Sequence, residues 1–486
     1  MPRINRRELL ALGAATAIAP PLPGATAEEN ARPGDVDWQL SYAKFDPKEK
    51  NRSPFIEGYC DRTSVRAGEM IRFFMSANEP ARARLDLFRM GYYGGKGARR
   101  VKTFENLAVK PQPTPEMKAL RLRECQWDVA AECAIPRDWP SGVYLGKLSC
   151  DRHRNESYLI FIVADDAKCD VLFQCSTNTW QAYNKWPHES SLYDNDRKDK
   201  RPLVSGVRVS FDRPFAKYWQ VVDTPMSLGS GEFLLFEFPF AYWLEQHGYD
   251  VHYCSNEDVS VGGVEIIKRA KAFLSVGHDE YWTRKQYDAC LAAVQAGVNF
   301  GFFCGNSCCF VIDDLPGSDG RPRRVIERVG RYGGIRKGEE PWMADLPREA
   351  PSEALLLGAQ TMSPFNGSGD WTVTNPDHWV FAGTGMKKGE RIRGLVGWEH
   401  HGAPASIPGL EVLAEGTTWT GGEAPSKYAA TIYPGPKGNT VFNAATIFWA
   451  QGLSSPPGHQ IPYVHNGRPL GPDARVQQIT KNLLDR

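Results

Sequence analysis

The 486-residue chain contains no repeats and no low-complexity tract. Beyond its N-terminus it lacks any uninterrupted apolar run of the about 18 residues that a membrane-spanning helix needs. Net charge is nearly absent too: 58 Lys and Arg against 57 Asp and Glu leave a formal +1. That balance gives no electrostatic reason to expect nucleic acid or an anionic membrane as partner. Neither a G-x-x-x-x-G-K-[ST] loop nor a G-x-G-x-x-G turn occurs, so nothing points to nucleotide use. The eleven cysteines are odd in number and are not spaced as a small disulfide framework. Buried thiols, which behave as small hydrophobes, suit many of them, with Cys125 and Cys133 the pair to consider for an exposed bridge.

What is present reads as a soluble globular protein, 42% hydrophobic and 24% charged, and long enough for two domains. Fourteen Trp and eighteen Tyr exceed the usual needs of a core and fit aromatic-lined clefts. At the N-terminus, Arg6-Arg7 precede an apolar run over 9–19, a Pro-rich stretch and Ala25-Thr26-Ala27. This is the layout of a cleavable export signal over residues 1–27, and the adjacent arginines give it the twin-arginine form. A periplasmic or secreted location follows as an expectation. Export in the folded state, often with a cofactor already inserted, is a pointer to a metal.

Residues 28–55 read as an extended lead-in. From 56 to 165 the pattern is all-β, with strand-length alternation at 71–75, 83–88, 142–148 and 157–163, as in an immunoglobulin-like sandwich. The period then changes over 166–486. Strand-like runs at 170–175, 249–254, 273–276 and 298–304 alternate with helical patterns at 233–247, 266–271 and 283–296. Such alternation predicts βαβ units and a parallel sheet in three layers. The Gly- and Trp-rich segment 318–425 is harder to read, and 428–433 and 440–442, with the helix-like 445–452, return to the sheet.

The strand at 273–276 is followed by Gly277, His278, Asp279, Glu280 and Tyr281. Ligands of a helix-covered parallel sheet sit beyond the carboxyl ends of its strands, which is where this imidazole and these carboxylates fall. Asp279 can be read as no more than the cap of the following helix. His278 and Glu280 can both reach one crevice, which capping does not require. The first βα connection, 176–193, carries Trp180, Tyr183, Trp186 and Tyr193 with Asn178, Gln181 and Asn184 between them. It is either a loop tucked down by its own aromatics or a wall of the same crevice. Asn306 ends the fourth strand, and Glu399 follows another strand-like run.

These pieces resemble the large subunit of N,N-dimethylformamidase and its relatives. The matching stretches are FRMGYYGGKGAR (88–99), NTWQAYNKW (178–186), SLYD (191–194), VSFDRPF (209–215), GHDEYW (277–282), FFCGN (302–306), GWE (397–399) and VFNAATIFWAQGL (441–453). The resemblance implies a β-sandwich followed by a domain like the class I glutamine amidotransferases. It also implies one mononuclear Fe3+ per chain, held by two tyrosines and one glutamate, that activates water to hydrolyse a small amide. Carried over, Glu280 is the carboxylate ligand and Tyr183 and Tyr193 are the phenolates, with Tyr218, Tyr242 and Tyr281 in competition. His278 is the neighbour of Glu280 in the same motif, a candidate with Glu399 to take the proton of water, and Asn306 and Glu399 match positions that orient substrate and move protons. A separate small subunit and a homo-oligomer belong to the same expectation.

Physical chemistry agrees with that set. A free tyrosine has a pKa near about 10, so a phenolate at neutral pH needs a strong Lewis acid beside it. Hard oxygen donors suit trivalent iron better than copper(I) or a thiolate zinc site. Two rival readings stand beside it. His278-Asp279-Glu280 matches the first half of a zinc-deaminase signature, with zinc on His278, Cys304 and Cys308, although the Pro-Cys half is missing. The other is a non-catalytic exported binding protein whose aromatic loop stacks on its ligand.

Overall fold

In the computed structural model, residues 25–45, 51–198, 203–220, 224–334, 336, 346, 348–363, 367–419, 425–462, 467 and 469–486 are described. The export-signal expectation therefore lies, up to residue 24, outside the described residues. Among the described residues no helix is long and apolar enough to cross a membrane.

Alternating burial turns residues 56–164 into two sheets packed over one core. Met70–Ala77 shows the pattern well, its early residues alternating between exposed and buried. It pairs with Ile56–Cys60 and Val129–Ala134 in a three-stranded antiparallel sheet. Facing it, a five-stranded sheet runs in the order Ser64–Arg66, Ser157–Ala164, Gly142–Cys150, Ala81–Met90, Ala98–Val109. Ile56, Phe73, Leu85, Leu148 and Phe161 meet between the two.

The chain then enters a seven-stranded sheet in the order Val251–Ser255, Cys169–Cys175, Ala270–His278, Asn299–Gly305, Thr440–Asn443, Ser426–Pro434, Glu411–Thr418. The first five strands are parallel, and the last two join by antiparallel pairing, so that Ser426–Pro434 runs against the other six. Helices Asn256–Ile267 and Arg284–Ala296 cover one face through Val259, Ile267, Cys290 and Val294. Helices Phe238–Gln246 and Ala474–Leu484 cover the other through Phe240, Leu244, Val476 and Ile479. Cover on both faces explains why these strands read as near-continuous apolar runs. The chain is thus a sheet-rich mixed α/β protein. Its first strand, Cys169–Cys175, lies between the second and third. The connections from the first and third strands therefore leave in opposite directions and open a crevice at their carboxyl ends.

Two local expectations are corrected. The third strand does not stop before Gly277; it runs Ala270–His278 and carries His278 at its end. Gly277 sits at φ +71°, and a Cβ there would lie 2.6 Å from the Cβ of Phe236, so only glycine lets the strand pass that residue. The helix expected over 266–271 ends at Ile267, because residues 270 and 271 already pair in the sheet. The helix read at 283–296 is found as Arg284–Ala296, capped by the Thr283 hydroxyl and closed by Gly297 at φ +101°. All eleven cysteines are free thiols, so the Cys125–Cys133 bridge is not formed.

The two sheet systems are locked by a buried ion pair. Arg89, on a strand of the five-stranded sheet, donates to both carboxylate oxygens of Glu245, at 2.9 and 3.0 Å. Glu245 also accepts from Tyr253 and Asn30, at 2.7 Å each. Asn30 belongs to the short helix Ala25–Asn30, which takes in the start of the expected lead-in. The neighbouring Thr26 hydroxyl exchanges hydrogen bonds with the backbone of Val251, and Ser141 accepts from the N–H of Tyr253. Side chains thus occupy the edge strand where another strand could otherwise add.

Arg89→Met would leave Glu245 buried without its counter-charge, and a loss of about 3–5 kcal/mol is expected in urea denaturation; a wild-type midpoint would show that the pair does not lock the halves. His252 is the second test. Burial alone would lower its pKa, but Asp165, 2.8 Å from Nδ1, and Asp250 raise it from 6.5 to about 9. A raised pKa adds stability that is complete below pH 6.5 and disappears as the pH rises through about 9. Denaturation curves for wild type should therefore lose stability over that window, and His252→Gln should lose less.

Candidate active site

Loops from the first and third strands build the site. After Ser176 the chain forms the buried helix Thr177–Ala182 and delivers Tyr183 at its end. The loop is pinned by its own buried aromatics, Trp180 donating to Glu237 at 2.7 Å and Trp186 to Glu57 at 2.8 Å, and from outside as well. Buried Arg213 donates to the carbonyls of Trp186, Ser190 and Asn184 at 2.7–3.1 Å. That fixes the path bringing Tyr193 back beside Tyr183, with ring centroids 4.5 Å apart. On the facing side, Thr179 Oγ1 accepts from the backbone N–H of Glu280 at 3.0 Å.

Asp279 is no helix cap, since Thr283 does that work. Its buried carboxylate accepts from Gln174 (2.6 Å), Ser275 (2.8 Å) and Asn256 (3.0 Å). The residue between His278 and Glu280 is thereby tied to two strands and a helix, which aims its neighbours into the crevice.

Two clusters share Glu280. In the first, the Tyr183 hydroxyl donates to Glu280 Oε2 at 2.7 Å, the Tyr193 hydroxyl donates to Tyr183 at 2.5 Å, and Tyr193 also lies 3.4 Å from Glu280 Oε2. In the second, His278 Nε2 lies 3.0 Å from Glu399 Oε2 and 3.3 Å from Glu280 Oε2. His278 Nδ1 is held by Glu232 Oε2 at 2.8 Å. Glu399 reaches this place from a sharp turn with Trp398 at φ +43°, and its carbonyl packs against Gly305, where a Cβ would come within 2.2 Å. That packing sets Asn306, itself at φ +50°, on the same rim.

Burial drives the electrostatics. It works against charge on His278, yet Glu399 and Glu232 outweigh it and hold the imidazole well above its ordinary pKa. Glu399 is pushed up by burial and by the nearby Glu280. Burial and Glu280 likewise push Tyr183 and Tyr193 well above the ordinary phenol value. Three carboxylates (Glu232, Glu280 and Glu399) therefore face one imidazole away from water. His278 Nε2, Glu399 Oε2, Glu232 Oε1, Asn306 Oδ1 and the Tyr218 hydroxyl are buried without a well-directed hydrogen bond. Such atoms in a native interior ask for a partner. Surplus negative charge, close oxygen donors and unsatisfied atoms fit a hard cation with a small polar ligand beside it.

Five of the six expected residues, Tyr183, Tyr193, His278, Glu280 and Glu399, meet here in direct contact, and Asn306 follows Gly305, which packs against the Glu399 backbone. Of the competing tyrosines, Tyr281 stands one step back, donating to Tyr193 at 2.7 Å. Tyr242 packs on Tyr92 and Phe238, away from the site. Tyr218 lies close, its hydroxyl facing Glu232, Glu399 and Glu280. The cysteine alternative is not assembled. Among the described residues, the one group of three His, Cys, Asp or Glu placed to share an ion is His278, Glu280 and Glu399. Cys308 lies in the core behind the sheet with Trp282 and Tyr287. His400 and His401 follow Glu399 in sequence but are core histidines, pushed by burial down to about 3 and about 4. Glu232 was missed by sequence reasoning. It precedes a π-helical turn, Phe233–Glu237, inside a run that reads only as helix, and such turns gather at functional sites.

Residues 84–463, most of the chain, match the family described as N,N-dimethylformamidase beta subunit-like, C-terminal. No curated protein matches. Among solved structures, Pseudomonas fluorescens alkylpurine DNA glycosylase AlkC bound to DNA containing an abasic site analog is 13% identical, with a TM-score of 0.15 over 23% of this chain and 31% of that one. The β-glucosidase EmGH1 from Erythrobacter marinus is 7% identical, with a TM-score of 0.14 over 22% of this chain and 15% of that one. The chain thus spans less than a third of either structure, and likenesses this slight carry no argument.

Proposed function

The chain belongs to the N,N-dimethylformamidase beta subunit-like family, and on that premise we propose that it is a metal-dependent hydrolase of a small amide C–N bond. One Fe3+ per chain would be held by Tyr183, Tyr193 and Glu280. The observation that carries this reading is the convergence of both phenols on Glu280 Oε2, at 2.7 and 3.4 Å, beside the His278–Glu399 pair. When bound, the cation supplies Lewis-acid polarisation of the amide carbonyl and a lower pKa for water.

The remaining steps belong to side chains. Glu399, a stronger base than an exposed carboxylate because burial raises its pKa, takes the proton of the attacking water at Oε2. His278 enters the cycle protonated and gives the Nε2 proton to the departing amine, which cannot leave as an anion. The proton on Glu399 then crosses the 3.0 Å contact to Nε2 and resets the pair. Glu232 holds Nδ1–H and so keeps the ring turned with Nε2 toward the reaction. Asn306 orients the substrate with its unsatisfied carboxamide oxygen. Phe236 and Trp398, packed 5.9 and 5.1 Å from the imidazole, keep water in bulk away.

The same reading makes 56–165 an immunoglobulin-like sandwich and 166–486 a domain like the class I glutamine amidotransferases. Residues 1–27 are then a twin-arginine export signal with a periplasmic or secreted product, so Thr26 covers the edge strand only until cleavage and Ser141 stays there afterwards. A small partner subunit and a homo-oligomer complete it.

Protein purified without a metal-affinity tag is expected to carry iron and a visible phenolate band. Glu280→Ala should lose metal and activity together, and Tyr183→Phe and Tyr193→Phe should each shift or bleach the band. A colourless, metal-free wild type would leave a binding protein, and a band lost in Tyr218→Phe but kept in Tyr193→Phe would move the ligand assignment to Tyr218. Glu399→Gln should keep the metal and lower kcat by about 10²–10⁴-fold; unchanged turnover would remove it from the mechanism.

A further inference from the structure

Arg328 is fully buried on Val325–Tyr332, a strand of a second, smaller sheet. That sheet also contains Tyr281–Thr283, which begins directly after Glu280. The guanidinium grips the site from behind in three ways. Nη1 donates to the Tyr281 hydroxyl at 2.8 Å, and Nη2 donates at 3.0 Å to the carbonyl of Leu192, the residue before Tyr193. Its carbon lies 5.1 Å from the centre of the Tyr193 ring, within the range of a cation–π contact.

A guanidinium has donors only and keeps its protons, so it sets the direction of everything beyond it. The Tyr281 oxygen accepts from Arg328, leaving the Tyr281 proton for Tyr193 at 2.7 Å. Tyr193 in turn donates to Tyr183, and Tyr183 to Glu280. Every hydrogen bond in this chain points the same way, from a buried cation to a buried carboxylate, and each polarises the next. The proposed mechanism uses neither Arg328 nor Tyr281.

We propose that Arg328 and Tyr281 are positioning residues that fix the Tyr193 oxygen and draw electron density from it, making the two phenols of the site unequal ligands. The inference rests on the reading of Tyr193 as a ligand. Once a cation has displaced the phenolic protons, Tyr193 keeps the Tyr281 hydroxyl as donor and the guanidinium against its ring. Tyr183 loses the donor it had in Tyr193. Tyr183 is then the more electron-rich of the two, and the surplus negative charge of the site has a buried positive partner at one end.

Iron content, iron affinity and the visible spectrum of the full chain test this in wild type, Tyr193→Phe, Tyr281→Phe and Arg328→Lys. Tyr281→Phe removes one hydroxyl from a packed ring. It should weaken iron binding by about tenfold and move the phenolate band to longer wavelength, because an unassisted phenolate gives up its electron more easily. Arg328→Lys keeps the charge but not the fork, and should shift the band the same way by less. A merely structural role would alter the melt and leave the band in place. If Tyr193→Phe changes the band while Tyr281→Phe and Arg328→Lys keep the wild-type band and affinity, the proposal falls and the ligand assignment stands. If wild type shows no band, or Tyr193→Phe leaves it unchanged, the ligand assignment falls and takes this proposal with it. Should Arg328→Lys not fold, Tyr281→Phe decides alone.

Discussion

Three carboxylates held out of water around a single imidazole are the constraint on which the rest of this structure depends. Like charges such as Glu280 and Glu399, with oxygens within 4.8 Å of each other, repel strongly in a low-dielectric interior, and burial raises the cost of each. The arrangement persists because His278 lies between Glu232, Glu280 and Glu399, and because the surroundings leave these side chains nowhere else to go. The same stress holds the imidazole and Glu399 above their ordinary pKa values, and under the proposed function a bound cation would relieve it.

Rigid support is therefore concentrated just behind the reactive atoms. Asp279 turns its carboxylate to Gln174, Ser275 and Asn256, anchoring the turn between His278 and Glu280 to the sheet. Arg213 stitches the aromatic loop together through backbone carbonyls, and Arg328 does the same beside Tyr193. Each of these groups is buried and far more expensive to misplace than a surface residue. None would be predicted from the chemistry of the reaction; they follow from having to hold a strained cluster still.

The position of the site follows from topology. Because the first strand of the seven-stranded sheet sits between the second and third, the loops 176–193 and 278–281 open on one crevice. The return of the chain through Arg391–Trp398 brings Glu399 over the same opening, against Gly305. The sandwich contributes no residue to the cluster. Its part is to close the edge strand and to bind the α/β part through the Arg89–Glu245 pair.

Local sequence determined the elements and most of the donors. Period-2 alternation marks the sandwich strands, Thr283 and Gly297 bound a helix, and an apolar run ending in Gly277-His278-Asp279-Glu280 marks a strand that delivers titratable groups. These are signals over a few residues, set by backbone geometry and by which faces are apolar. What only the tertiary structure decided is who meets whom. Glu232 lies 46 residues from His278 and Arg328 lies 47 from Tyr281, and no local pattern announces either partnership. The role of Asp279 changed from helix cap to buried bracket, and the zinc alternative lapsed, for the same reason. A carboxylate or thiol takes its chemistry from what surrounds it after packing, and packing joins residues that the chain keeps far apart.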